Sequence, residues 1–251
     1  MGLSYDGVPA TQLENRGSDN IDVDFFIRTW PHQPIQMTIN SESVGRMAEG
    51  IIYLLDKGAA VHSNVAFEET EWSDVDITNY GRQLSKLIPY YQVNKKAYLI
   101  SQFSHNLTEY AHNLDHHKEQ LEVCGAGHGF QVFDTDGLSY PCHLLSPLVL
   151  KGSKLQRIEE GILSRTESYA DSRCSTCPYT SSCPTCIASN YLYRGCFQKR
   201  DSTHCRVMQT EVRACIRREV ERLKGEKVIT PADALLIDSM QKLVAYEKGI
   251  R

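Results

Sequence analysis

The first 123 residues of this 251-residue chain contain no cysteine, although the chain has nine cysteines in all, from Cys124 to Cys215. Basic side chains (27) are also fewer than acidic ones (31). The formal net charge of −4 therefore argues against a dedicated binder of nucleic acid or of anionic membranes. No run approaches the roughly 20 apolar residues of a membrane-spanning helix, and residues 1–7 lack the basic and apolar regions of a secretory leader. We expect a cytoplasmic protein, in which clustered thiols are more often metal ligands or catalysts than disulfides.

The part of the chain before the cysteines alternates short apolar segments with amphipathic ones. Strands separated by helices of this length predict parallel pairing through helical crossovers. Only about three such units fit before Cys124, so this region is expected to be part of a barrel or sheet. The expected strands are 3–7, 35–39 and 59–66, and the expected helices are 41–58 and 72–91.

The composition of the sequence changes after residue 123, where three glycines occur within five residues. Short segments in which apolar and polar residues alternate flank Asp136-Gly137. An Asp-Gly pair between such segments predicts a β-hairpin. Two C-terminal helices are expected, at 203–223 and at 234–246. The second follows Thr230-Pro231, which supplies a cap and a proline for its first turn.

Four cysteines follow one another as C-x2-C-x5-C-x2-C, at Cys174, Cys177, Cys183 and Cys186. Two thiolates separated by two residues can turn around one metal or one face of a cluster. Four-cysteine sites hold either tetrahedral zinc or an iron–sulfur cluster. The spacing alone leaves both metals open.

Further thiols surround this core. The predicted hairpin brings Cys124 and Cys142 together as a second pair, and Cys196 and Cys205 follow the core. The eight thiols suffice for two four-cysteine sites, with a buried thiol as the alternative for Cys196. The ninth, Cys215, falls on the apolar side of a predicted helix, where we expect a buried, inert thiol.

The complete order C-x12-G-x4-C, C-x2-C-x5-C-x2-C, C resembles the SPASM domain of radical S-adenosylmethionine (SAM) enzymes that modify peptides. Its core is one residue shorter than the usual C-x2-C-x5-C-x3-C. That departure resembles the subgroup of maturases for ribosomally made peptides with repeated cysteines, in which Asn190-Tyr191, Gly195 and the run from Lys199-Arg200 to Cys205 have counterparts. More weakly, residues 4–7 (S-Y-D-G) resemble the S-x-D-G that ends the fourth strand of the radical SAM barrel, and residues 15–17 (N-R-G) resemble the arginine segment after it.

This resemblance implies two auxiliary 4Fe–4S clusters. The first would be held by Cys124, Cys142 and Cys186, with its fourth iron either open to a substrate thiolate or closed by Cys196. The second would be held by Cys174, Cys177, Cys183 and Cys205.

The resemblance also implies cofactor-binding residues for SAM, provided that the first half of the barrel is supplied. Ser4 and Arg16 would bind the SAM carboxylate, and Asn64 would line the cofactor from a strand end. The alternatives are turn and cap chemistry for Ser4 and Asn64, and a solvated surface charge for Arg16.

The C-x3-C-x2-C loop that radical SAM chemistry requires is missing, because no cysteine precedes Cys124. We therefore expect that the chain cannot cleave SAM by itself. It is expected to be either the C-terminal half of a split enzyme, whose partner chain carries the first half of the barrel, or a truncated fragment.

The resulting expectation is an α/β chain in three parts. Residues 1–119 would form the last three strand–helix units of a partial parallel (β/α) barrel, residues 120–225 a small irregular α+β SPASM domain, and residues 226–251 a C-terminal helix. The expected role is electron relay and docking of a peptide substrate, without nucleic acid or membrane. The alternatives are a zinc-binding structural or interaction domain and an inactive fragment.

Overall fold

The computed structural model describes residues 2–66, 72–116, 125–126, 129–159, 171–183 and 186–249. The chain is α/β and forms two compact units. Unit 1 comprises Met1–Ala111 and Cys205–Arg251, and unit 2 comprises His112–His204. The predicted domain boundaries at residues 119 and 225 stay predictions. Among the described helices, none is long and apolar enough to cross a membrane.

Helices separate the strands in the first part of the chain, and two of these helices, between residues 9 and 29, were not among the expected ones. In chain order, the elements up to residue 113 are β1 (Leu3–Ser4), α1 (Pro9–Arg16), α2 (Val23–Thr29), β2 (Ile35–Ile39), α3 (Met47–Asp56), β3 (Val61–Val65), α4 (Asp74–Val93) and α5 (Leu107–Asn113). The later elements are β4 (Val132–Phe133), β5 (Ser139–Tyr140), α6 (Gly152–Glu159), α7 (Ile187–Arg194), α8 (Ser202–Lys224) and α9 (Pro231–Glu247).

Unit 1 contains a three-stranded parallel sheet in the order β1-β2-β3, which confirms the expected α/β class and parallel pairing. A 3-10 turn at Ser101–Phe103 lies beside β3. There the carbonyl oxygen of Ser63 accepts hydrogen bonds from Ser101 Oγ at 2.7 Å and from Gln102 Nε2 at 2.9 Å. Side-chain donors thus satisfy a backbone carbonyl of β3, an edge strand of the sheet, where, within the described residues, backbone groups have no neighbouring strand to pair with.

One face of the sheet packs against helices. Ile35, Met37 and Ile39 of β2 alternate with polar residues and are buried, as a strand with one apolar face requires. They share one core with apolar side chains of α3 and α4, among them Leu54 and Leu84, which are completely buried. The opposite face carries the other polar side chains of the strands, whereas Ser63, in register with Met37, is buried on the core face.

The turn after β1 approaches α3 closely. Gly7 has φ of 99°, a conformation that favours glycine, and a Cβ built on Gly50 of α3 would lie 2.8 Å from the Cα of Gly7. The two glycines therefore allow the backbone of the S-Y-D-G turn to rest on the helix.

We expect Gly50→Ala to lower the free energy of unfolding by about 1–2 kcal/mol, because the added methyl group overpacks a backbone contact. At an exposed helical site the same substitution would raise stability by up to about 1 kcal/mol. Gly81→Ala in α4 is the matched control. Its added Cβ would meet the end of a side chain, Thr210 Cγ2 at 3.1 Å, rather than the backbone of another segment. Urea unfolding measures both variants; equal or greater stability of Gly50→Ala would contradict the close approach.

Unit 2 is built around a hairpin and α7. Strands β4 and β5 pair antiparallel, and Gly137 closes their turn with φ of 86°, so the predicted hairpin is confirmed. Behind it, the ring of Tyr191 in α7 stacks on that of Phe197 with centroids 4.6 Å apart. Both rings belong to a buried core together with Tyr140, Cys142 and Ile187.

Candidate metal centre and polar sheet face

The segment from Cys174 to Cys183 consists of consecutive tight turns. The amide of Cys177 donates to the carbonyl oxygen of Cys174 at 3.1 Å, and the amide of Cys183 donates to that of Tyr179 at 2.9 Å. Cys174 and Cys183 are buried, whereas Cys177 is half-buried. The backbone is thus folded back at both ends of the C-x2-C-x5-C segment, as ligands of a shared metal require.

Cys142 and Cys186 occupy equivalent places in unit 2. Cys142 is the residue before the 3-10 turn His143–Leu145, Cys186 is the N-cap of α7, and the two helical segments pack against each other. The amide of Ser189 donates to Cys186 Sγ at 3.4 Å. Both thiols therefore lie at the start of a helical segment.

Asp171 fixes the turn that begins at Cys174. Its buried carboxylate accepts from Arg173 Nη2 at 2.6 Å and from the amides of Arg173 and Arg200 at 2.9 Å, and its carbonyl oxygen accepts from the amide of Cys174 at 2.8 Å. Arg173 Nη2 also donates to the carbonyl oxygen of Arg200 at 2.6 Å. The bonds from Arg173, followed by the amide of Arg200, hold the pKa of Asp171 well below its ordinary value against the opposing effect of burial.

The guanidinium of Arg200 is buried and only partly hydrogen-bonded within the part of the chain that the structure describes. Arg200 is only 4% exposed, and its Nε and Nη2 have no hydrogen-bond partner among the described residues. A buried cation without partners is strongly unfavourable unless an anion lies beside it. This side chain is therefore suited to an anionic group such as a metal held by several thiolates.

The described side chains are not gathered into a metal site. No group of three or more His, Cys, Asp or Glu side chains that could hold a metal occurs among the residues that the structure describes. Cys124, one of the predicted ligands, lies outside those residues. Cys196 is half-buried in unit 2, and Cys205 is exposed in α8, within unit 1. The predicted ligand sets stay predictions.

Cys215 lies in the interior of unit 1, as its helical position predicts. It is 2% exposed, and its Sγ is 3.5 Å from the carbonyl oxygen of Phe103. Burial, aided by the charge of Glu219, raises the pKa of this thiol to about 12. A thiol that stays protonated at neutral pH is a poor nucleophile and a poor metal ligand.

The polar face of the unit 1 sheet carries the residues expected to bind SAM. Ser4, the last residue of β1, and Asn64 of β3 are both exposed within their strands. Thr38 of β2 pairs in register with Asn64, which places both side chains on this face. Arg16, the last residue of α1, reaches the same face, since its Nη2 is 3.4 Å from Thr38 Oγ1.

Asp6 holds Arg16 in that position. Its buried carboxylate accepts from Arg16 Nε at 2.8 Å and Nη2 at 3.1 Å, and also from the amide of Thr38 at 2.9 Å. Arg16 is therefore not the solvated surface charge that was one interpretation of it. The two segments that carry the barrel resemblance, S-Y-D-G and N-R-G, are joined by this ion pair.

Comparison with protein-family models and with curated proteins finds no match for this chain.

Sequence reasoning missed three residues that organise these regions, namely Asp6, Asp171 and Arg200. Asp6 had a signal, because it lies within the S-Y-D-G segment directly after a strand. Thr38 also had a signal in the sequence. Polar and apolar residues alternate in β2, and a strand buried on both faces would be apolar throughout, so the polar residues indicate a face that is not buried. Nothing in the local sequence distinguishes Arg200 from the adjacent Lys199.

Proposed function

We propose that this chain is an iron–sulfur protein that resembles the C-terminal part of a radical SAM peptide maturase. Its cysteines would hold two 4Fe–4S clusters that relay electrons and help to dock a peptide substrate. The first cluster would take Cys124, Cys142 and Cys186, with Cys196 or a substrate thiolate at the fourth iron. The second would take Cys174, Cys177, Cys183 and Cys205.

The observation that carries this proposal is the buried side chain of Arg200, whose backbone amide bonds Asp171 and so lies next to the turn that begins at Cys174. The unsatisfied N–H groups on its Nε and Nη2 fit a cluster of iron, sulfide and thiolates, which is anionic and offers sulfur acceptors. The donor chemistry also fits, because thiolates are the usual ligands of such clusters. When bound, the clusters would supply one-electron transfer.

The residues around the thiols have roles of their own in this proposal. The stacked rings of Tyr191 and Phe197 exclude water from the core that contains Cys142 and packs against Cys186. The amide of Ser189 donates a hydrogen bond to the sulfur of Cys186. Low solvent access and hydrogen bonds to sulfur are the means by which a protein sets the potential of a cluster.

Unit 1 supports the finer part of the proposal, a partial radical SAM-like barrel. The polar sheet face would be the barrel interior, and Asp6 orients Arg16 toward it. Ser4, Arg16 and Asn64 would bind SAM there. This chain has no C-x3-C-x2-C motif, so SAM cleavage would require that motif from a partner segment carrying the first half of the barrel.

Arg200→Met tests whether the Arg200 side chain faces an anionic cluster. We expect the substitution to stabilise the metal-free protein but to weaken iron retention in the reconstituted protein. In metal-free protein, we expect removal of this buried cation, whose Nε and Nη2 have no partner among the described residues, to raise the free energy of unfolding by about 1–2 kcal/mol. In protein reconstituted with iron and sulfide, we expect faster loss of iron to a chelator than in the native chain. Stability assays on both forms and the chelation rate measure this; unchanged iron retention would show that Arg200 does not face the cluster.

Anaerobic purification followed by iron, sulfide and zinc analysis tests the proposed function itself. We expect about eight irons and eight sulfides per chain, since two 4Fe–4S clusters contain that number. One or two zincs without sulfide would favour the zinc-binding domain instead. Absence of both metals would favour the inactive fragment.

A further inference from the structure

A groove between α4 and α8, within unit 1, carries unbalanced positive charge. Its volume is about 580 Å³, and it is lined by Arg82 and Lys86 of α4 and by Arg213 and Arg217 of α8. Among the described residues that line it, none is acidic. We call this feature the α4/α8 groove.

The four cations are arranged as two pairs of like charge. Arg82 and Lys86 lie four residues apart on one helix, and Arg213 and Arg217 lie four apart on the other, so each pair shares a helix face and repels. Within the part of the chain that the structure describes, only Arg213 is compensated, by Glu247 Oε2 at 2.6 Å from its Nε. The other three are exposed and have no carboxylate partner among the described residues. Such a concentration of charge, in a chain with a net charge of −4, calls for an anionic ligand.

The remaining lining residues define what kind of anion fits. Ser85 Oγ and Thr210 Oγ1 each donate to the carbonyl oxygen four residues earlier, at 2.8 Å. Because these hydroxyl hydrogens are already used, the donors that the groove offers to a ligand are mainly the N–H groups of its cations. Ser85 Oγ also accepts from Arg217 Nη1 at 3.3 Å, which holds that guanidinium across the groove. Ile77, which is half-buried, adds apolar surface beside the charges.

We propose that the α4/α8 groove binds an acidic peptide segment that also carries aliphatic side chains. The groove extends about 14 Å from Ile77 to Lys86 at 1.5 Å per residue, a length that matches about four residues of extended peptide. The carboxylates would pair with Arg82, Lys86 and Arg217, and an aliphatic side chain would rest on the half-buried Ile77. Three uncompensated cations are too few for strong binding of nucleic acid, which rests on about 6–10 phosphate contacts.

This proposal deepens the proposed function by naming the chemistry of a peptide segment, but its evidence lies in the charges of unit 1 alone. The groove would bind such a peptide whether or not the cysteines hold iron. The two proposals can therefore fail separately.

The test is fluorescence anisotropy of the full chain with a labelled octapeptide of alternating Glu and Leu, at low and at physiological salt. We expect saturable binding that weakens with salt, and about tenfold or more weaker binding of the same peptide with Gln in place of Glu. Arg82→Gln/Arg217→Gln should weaken binding about tenfold. The matched control Arg28→Gln/Lys227→Gln removes two exposed cations elsewhere in unit 1 and should bind like the native chain.

Failure of the acidic peptide to bind, equal binding of the Gln peptide, or an equal loss in the control variant would overturn the proposal. Tighter binding of an oligothymidylate of the same charge would overturn it in favour of nucleic acid. Iron content, measured in the same preparations, keeps these outcomes separate from the fate of the clusters.

Discussion

Asp171→Ala is expected to destabilise unit 2 by about 3 kcal/mol, because it removes a buried carboxylate that accepts from two backbone amides and from Arg173. The amides of Arg173 and Arg200 would lose their acceptor, and the turn that begins at Cys174 would lose its anchor. We expect faster amide hydrogen exchange in residues 172–177 and 199–201, measured by mass spectrometry. Asp134→Ala, in the exposed hairpin turn, is the matched control and should leave exchange in these segments unchanged.

The same carboxylate gives unit 2 a defined response to acid. The native pKa of Asp171 lies well below that of an unfolded aspartate, about 3.9. Its contribution is therefore fully present above about pH 5 and is lost as the pH falls below about 4, where the unfolded chain binds the proton first. In the native chain, amide hydrogen exchange in residues 172–177 and 199–201 should become faster on acidification, after correction for intrinsic rates. In Asp171→Ala, exchange in these segments is already fast and should change little with pH. An identical acid response in both proteins would contradict this role.

Asp6→Ala is expected to lower the free energy of unfolding of unit 1 by about 3 kcal/mol, since it leaves the amide of Thr38 and the guanidinium of Arg16 without their shared acceptor. The side chain of Asp6 is 3% exposed, so water cannot replace the lost bonds. Urea unfolding followed by circular dichroism measures the change.

Asp24→Ala provides the comparison for an exposed ion pair. Asp24 lies 2.8 Å from Lys57 Nζ, but its side chain is 55% exposed. Exposed pairs contribute about 0–1 kcal/mol, so we expect a loss within that range. Equal losses in Asp6→Ala and Asp24→Ala would show that Asp6 does not organise the sheet edge.

Elements whose causes lie close together in the sequence are predictable. The helix after Trp72 begins with a capping box, in which Ser73 and Asp76 bond to each other's backbone amides. Thr230 and Asp233 repeat this arrangement at α9, and Asp136-Gly137 closes the hairpin. In each case a residue and its partner are within a few positions, so the pattern contains all the information that the local structure needs.

Partners distant in the sequence were not predictable. The resemblance assigned Arg16 to a cofactor carboxylate, yet its guanidinium also bonds a protein carboxylate, that of Asp6, and contacts Thr38, which lies 22 residues away. Arg200 is joined to Asp171 across 29 residues, and a single sequence contains no signal for that pairing. Buried charges are placed by tertiary structure, whereas the spacing of cysteines is a local property. The spacing therefore suggested a metal centre but not the residues that support it.

The most direct test of two separately held clusters is the iron and acid-labile sulfide content per chain after anaerobic reconstitution. We predict about eight irons for the native protein, and about four each for Cys174→Ser/Cys177→Ser and for Cys142→Ser/Cys186→Ser, because each pair would serve a different four-iron cluster. Cys215→Ser, the control in the buried interior of unit 1, should keep about eight. A native chain that takes up zinc but no sulfide, or double variants that retain all the iron of the native chain, would contradict the account.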